Sequence, residues 1–205
     1  GVGREPPLGA TVDIAAYRVN GKLCIPGSSL KGVFRSLAEL ILASKGIRVH
    51  SPWDNEKIEQ EAKNGSFCPL CGTFGSTELA SHVRIYDAYP KDDSARTFLK
   101  TGVSIDREFN AVRPGLLFTE ELVVPSMIWL FKMDVLNIKF LPEPEREDPR
   151  AELLKNLLEY SLKMGISVGA RKGVGCGLMR IREAKWYVYS LENGEIKTVS
   201  EGSLR

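Results

Sequence analysis

The stretch Ile25-Pro26-Gly27-Ser28-Ser29-Leu30-Lys31-Gly32 decides how this chain is read, because it turns a loop-rich opening into a helix. Either serine can cap that helix by accepting hydrogen bonds from its first free amides. Leu30, Val33, Phe34, Leu37, Leu40 and Ile41 recur at helical spacing and give it an apolar face, and Lys45-Gly46 ends it. Ser28, Lys31 and Arg35 share a different face. A helix N-terminus attracts anions through its unpaired N–H groups and its dipole, so Ser28, Ser29, Lys31 and Arg35 suit a phosphate backbone. The same residues also read as a capped helix with two solvated bases.

Working outward, residues 1–27 hold Gly and Pro clusters around one short alternating segment, 16–24. Residues 47–80 read as an insertion. Strand-like segments follow at 82–88, 96–105, 117–124 and 127–140. The acidic, Pro-rich stretch 141–150 reads as a linker. Asp148 then caps a second helix with Pro149 at its first position, and Leu153, Leu154, Leu157, Leu158 and Leu162 form its buried stripe. A glycine loop, a last strand over 178–189 and a polar, frayed tail over 192–205 complete the chain. The order predicts one α+β domain over 1–205, with helices packed on an antiparallel sheet. A ferredoxin-like βαββαβ unit needs one more strand before the first helix, which is expected just upstream of Gly1.

Bulk composition narrows the function. Among 205 residues, 43% are hydrophobic and 26% charged, the balance of an ordinary globular protein. No apolar run approaches the ~20 residues that cross a bilayer, and the opening residues lack a signal-peptide core. A cytoplasmic protein without membrane contact is expected. The net charge of +2 excludes a uniformly basic surface, so any nucleic acid must be held along a local groove. Four cysteines, two of them isolated, do not make a secreted disulfide framework.

The second motif is the loop Gly165-Ile166-Ser167-Val168-Gly169-Ala170-Arg171-Lys172-Gly173-Val174-Gly175-Cys176-Gly177. Its glycines let a ligand approach the backbone closely, and Arg171 and Lys172 supply charge at its centre. It follows a helix and precedes a strand, so it is no dinucleotide fingerprint, and it lacks the Gly-Lys-Ser/Thr of a phosphate-binding P-loop. A flexible turn is the plainer reading. The third motif, Cys68-Pro69-Leu70-Cys71, holds two thiols at the separation tetrahedral zinc requires. His50 is the best third ligand, and the fourth is His82, an acidic residue or water. No metal at all, or a redox pair, are the other readings.

The Ile-Pro-Gly-Ser-Ser-Leu-Lys-Gly phrase, the glycine loop, Gly102-Val103-Ser104-Ile105-Asp106-Arg107 and Leu117-Phe118-Thr119-Glu120-Glu121 together resemble the RAMP superfamily of CRISPR-associated proteins. They are most similar to the repeated backbone subunit of type III (Csm and Cmr) effector complexes. The resemblance implies an RNA-recognition-like fold and a helical filament of copies along a guide RNA, with target RNA and other effector subunits as partners. It implies a thumb hairpin over 107–119 whose Arg107 and Arg113 reach over the duplex, and a guide-RNA cradle of Ser28, Ser29, Lys31 and Arg35 with Gly169, Arg171, Lys172, Gly173, Gly175 and Gly177. It further implies that Asp13 cuts target RNA with Mg²⁺ or Mn²⁺; a loop Asp that makes a turn is the alternative. Similar proteins bind zinc in the insertion. The rival functions are a pre-crRNA processing endoribonuclease, for which His50 and His82 are the only acid–base candidates, and a purely structural, non-catalytic RNA-binding subunit.

Overall fold

The computed structural model describes residues 3–4, 12–92, 95–106, 108 and 111–204, with 3–4 and 111–116 as backbone only. In chain order the elements are β1 (Gly3–Arg4), β2 (Ala15–Ala16), β3 (Arg18–Val19), β4 (Lys22–Leu23), α1 (Gly27–Ser44), α2 (Asn55–Asn64), α3 (Pro69–Phe74), β5 (Val83–Ile85) and β6 (Tyr89–Pro90). Then come β7 (Thr97–Asp106), β8 (Ala111–Val123), β9 (Trp129–Leu130), β10 (Met133–Val135), α4 (Pro149–Lys163), β11 (Ile166–Ser167), β12 (Leu178–Met179), β13 (Ala184–Glu192) and β14 (Glu195–Leu204). The chain is α+β, as expected, with strands paired two by two among the described residues. No helix among them is long and apolar enough to cross a membrane.

The chain divides into two compact units. The first comprises residues 1–30, 86–132 and 167–178. Its backbone is the long antiparallel pair β7–β8, registered from Thr97 opposite Val123 to Asp106 opposite Ala111. The segment before β2 lies along β8: Ile14 bridges Glu120, and the Glu121 amide donates to the Ile14 carbonyl at 2.8 Å. Glu121 fastens this junction. Its carboxylate accepts from the Ala16 amide at 2.9 Å, from Thr97 Oγ1 at 2.6 Å and from the Arg18 guanidinium. Reciprocal Ile25–Ala88 backbone hydrogen bonds of 2.9 Å anchor the chain just ahead of α1.

The second unit comprises residues 31–85, 133–166 and 179–205. Phe34, Ala38 and Leu42 of α1 pack in one core with Leu70 and Phe74 of α3, Val83 of β5, and Leu153, Leu154 and Leu157 of α4. Spacing of four keeps the α1 residues on one face. That face is rotated from the expected one: Leu40 is 61% exposed, while Ala38 and Leu42 point inward. In α4, Asp148 caps the helix by accepting from the Arg150 amide at 2.9 Å, and Pro149 opens it. Capping residues also define α2, between Asp54 and a left-handed Gly65 (φ 64°).

Further expectations change. The strand expected over 127–140 is two short strands, β9 and β10, and the one expected over 178–189 is split into β12 and β13. Residues 16–24 do not run as one alternating segment; β3 and β4 fold back on each other at Asn20-Gly21, both with positive φ (49° and 80°). The polar residues after Glu192 are likewise not frayed. They form β14, paired with β13 from Ala184 opposite Leu204 to Glu192 opposite Glu195 around Asn193-Gly194 (φ 52° and 82°). Asn-Gly adopts the left-handed conformations that a two-residue hairpin turn requires.

Candidate functional site

The start of α1 is set by its surroundings as much as by its sequence. The Gly27 amide donates to Asp87 Oδ1 at 2.7 Å, so one donor of the helix end is already taken. Ser28 is exposed, while Ser29 and Lys31 are half-buried. Burial, with the charge of Arg35 behind it, lowers the Lys31 ammonium from its ordinary value. Arg35 turns away from this group. It donates to the Gly75 carbonyl at 2.9 Å, and its Nη2 lies 3.8 Å from Cys71 Sγ. Gly32 was not singled out in the sequence, yet it sits exposed in mid-helix, and a Cβ there would meet nothing within 4 Å. Glycine costs a helix about 0.5–1 kcal/mol relative to alanine, so neither packing nor conformation accounts for it.

In the glycine loop, Gly169, Arg171, Gly175 and Gly177 all have positive φ, with a 3₁₀ turn at Lys172–Val174 between them. These glycines divide by cause. A Cβ on Gly177 would run into the Val168 carbonyl oxygen, which accepts no room for one, so Gly177 is required by packing. Gly173 has ordinary φ, and a Cβ there would meet nothing within 4 Å. Arg171 is engaged: its Nε lies 2.8 Å from Glu120 Oε1, and its guanidinium stacks 4.9 Å from the Phe118 ring centroid. Phe118 in turn lies across Gly102, its partner on β7. Lys172 is exposed.

Asp13 is exposed and clamps β8: its amide donates to the Thr119 carbonyl at 2.8 Å, and its Oδ2 accepts from the Thr119 amide at 2.6 Å. Arg107 lies outside the described residues, and so does the side chain of Arg113.

The insertion gathers His50, Glu61, Cys68 and Cys71, one ligand atom from each lying within 4.8 Å of the others. His50 Nδ1 is 3.0 Å from the Ser51 carbonyl oxygen. A carbonyl only accepts, so a proton on Nδ1 satisfies this contact and leaves Nε2 as the nitrogen that can present a lone pair to a metal. That Nε2 faces Cys68 Sγ at 3.5 Å, Cys71 Sγ at 3.6 Å and Glu61 Oε2 at 3.1 Å. Bonds of about 2.0–2.3 Å to a tetrahedral ion put its ligand atoms roughly 3.3–3.8 Å apart. Apart from that His50 contact, Glu61 Oε2 is buried without a hydrogen-bond partner among the described residues. The donor set therefore fits a tetrahedral cation. Burial, with Cys68 adding and Arg35 opposing, pushes the Cys71 thiol up to about 11, so a metal must displace a proton to bind there. The fourth donor is the acidic residue Glu61, not His82. Its sequence signal was the helix pattern of α2, where Glu61 follows the buried Ile58 by one turn.

Comparison with curated proteins returns no match. Among protein families, the model of the RAMP superfamily matches residues 9–180, a span that includes both the α1 phrase and the glycine loop.

Proposed function

The chain belongs to the RAMP superfamily, and from that membership we propose that it is a CRISPR RNA-binding backbone subunit of a type III effector complex. In this reading copies of the chain line a guide RNA as a helical filament, alongside other effector subunits, and the guide pairs with target RNA. The fold is then ferredoxin-like, with a thumb over residues 107–119 that includes Arg107 and Arg113.

The observation that supports it best is the pair Lys31-Gly32 and Lys172-Gly173. Each glycine lacks a steric reason, each stands beside a lysine, and each lies in one of the two family phrases. A bare backbone next to a cation lets a phosphodiester approach the main chain closely. Ser28 and Ser29, next to the first pair in sequence, and Gly169 and Gly175, around the second, make further contacts of this kind in the same reading. Such contacts fix register without reading sequence, which leaves recognition to base pairing.

The insertion, in this reading, holds a structural zinc ion through His50, Glu61, Cys68 and Cys71. The ion supplies a cross-link between the loop before α2 and the start of α3, in a segment with little core of its own. A pre-crRNA processing role is less well supported. His50 faces the cysteine cluster, and one of the two ring nitrogens of His82, Nδ1, is buried.

Purification of the chain from its native host, followed by sequencing of bound RNA, tests the proposal. Fragments carrying a common repeat-derived tag are expected. Random cellular RNA, or none, would reject it.

A further inference from the structure

Arg35 stands where helix α1 meets the cysteine cluster. Its Nη1 donates to the Gly75 carbonyl at 2.9 Å, its Nη2 lies 3.8 Å from Cys71 Sγ, and its Nε is 3.7 Å from Glu39 Oε1. The side chain is only 17% exposed. The Gly75 carbonyl is a fixed target, because Gly75 has φ 86° and a Cβ on it would meet Leu79 and Ser81 backbone at 2.9 Å. An arginine that serves a phosphodiester turns its N–H fork outward. Here the fork is turned toward a sulfur and a carbonyl.

Charge gives the reason. A divalent ion held by two thiolates, one carboxylate and one neutral imidazole sums to +2 − 3 = −1. A buried charge needs a partner, and the Arg35 guanidinium is the cation against that cluster. We propose that Arg35 is a positioning residue of the metal centre, neutralising the metal–thiolate cluster and fastening α1 to it. The inference rests on the metal reading given above. It also divides labour along α1: Lys31 and Gly32 meet RNA, and Arg35 holds the helix that presents them.

The test titrates Co²⁺ into the metal-free full chain and follows the thiolate-to-cobalt absorption, with chelator competition for affinity. Wild type, Arg35→Ala and Arg35→Lys are compared. Arg35→Ala is expected to bind cobalt about 10- to 100-fold more weakly. Arg35→Lys keeps the charge but loses the fork, falls between, and carries the comparison should the alanine variant not fold. A second readout uses a single-stranded RNA oligonucleotide and zinc-saturated protein. Lys31→Ala should lower the slope of log affinity against log salt by about 0.7, whereas Arg35 variants should leave it at the wild-type value. Cobalt affinity equal to wild type in both Arg35 variants, or a slope loss like that of Lys31→Ala, overturns the proposal. Absence of the cobalt band in wild type removes the metal reading itself, and this inference with it.

Discussion

The guanidinium of Arg171 reaches out of the glycine loop to Glu120, Nε to Oε1 at 2.8 Å, and Glu120 is buried with its side chain 3% exposed. The pair ties the loop to β8. Arg171→Ala leaves a carboxylate without its cation and should destabilise the protein by about 1–3 kcal/mol. Glu120→Gln in the Arg171→Ala background should recover part of that loss, since the stranded charge is gone. Urea midpoints of the single and double variants measure both effects, and a wild-type midpoint for Arg171→Ala would remove the latch.

Glycines in the two family phrases should respond oppositely to alanine. Gly32→Ala should stabilise the fold by about 0.5–1 kcal/mol and still weaken RNA binding, because the added methyl stands where the backbone is approached. Gly177→Ala should destabilise by roughly 1–3 kcal/mol, since it combines positive φ with a blocked Cβ. Thermal unfolding and filter binding on the same samples separate the two classes. Gly32→Ala protein that binds RNA like wild type would leave Gly32 without a ligand role.

Arg18, and after it Thr97 and the Ala16 amide, hold the Glu121 carboxyl down at about 2, from an ordinary 4.5. A carboxyl depressed on folding contributes stability that is complete above its unfolded value and is lost as pH falls through its folded value. Stability should therefore drop between about pH 4.5 and pH 2 on this account. Glu121→Gln should flatten that part of the curve, which urea titration at several pH values reads directly. An unchanged slope would place the acid sensitivity in other groups.

Chelation should act on the second unit. Protein prepared without chelator is expected to carry close to one equivalent of zinc, and its removal should lower the melting temperature and expose α2 and α3 to proteases. Cys71→Ser should do the same without chelator. Elemental analysis showing well under half an equivalent, as an order-of-magnitude threshold for a structural site, would count against the assignment.

Asp13→Asn keeps an oxygen for the Thr119 amide and removes the charge. In an assembled complex with matched target RNA and Mg²⁺ or Mn²⁺, binding should persist and cutting at regular intervals should stop. Full cutting by the variant would place the chemistry elsewhere.

Much of this was legible in the sequence where a local rule applies. Asp148-Pro149 announced α4, the Pro-Gly-Ser-Ser phrase announced α1, and the Cys68–Cys71 spacing announced a turn that can chelate. The hairpins at Asn20-Gly21 and Asn193-Gly194 were also local signals, masked by the polar character of the residues around them. Other features were not local. Arg35 meets Cys71 across 36 positions, and Arg171 meets Glu120 only because two distant segments pack together. Nothing within one helix turn distinguishes an arginine facing a thiol from one facing solvent.

The clamp between Asp13 and Thr119 spans 106 positions. On a ribosome adding roughly 5–20 residues per second, the segment that lies along β8 waits about 5–20 s for its partner to be synthesised. The β7–β8 and β13–β14 pairs join segments adjacent in sequence, and hairpins of that kind need about 1–10 μs once made. Docking of the residue 13–16 segment is thus a late event of vectorial folding, and chaperones that hold exposed strands have an opportunity of that length there.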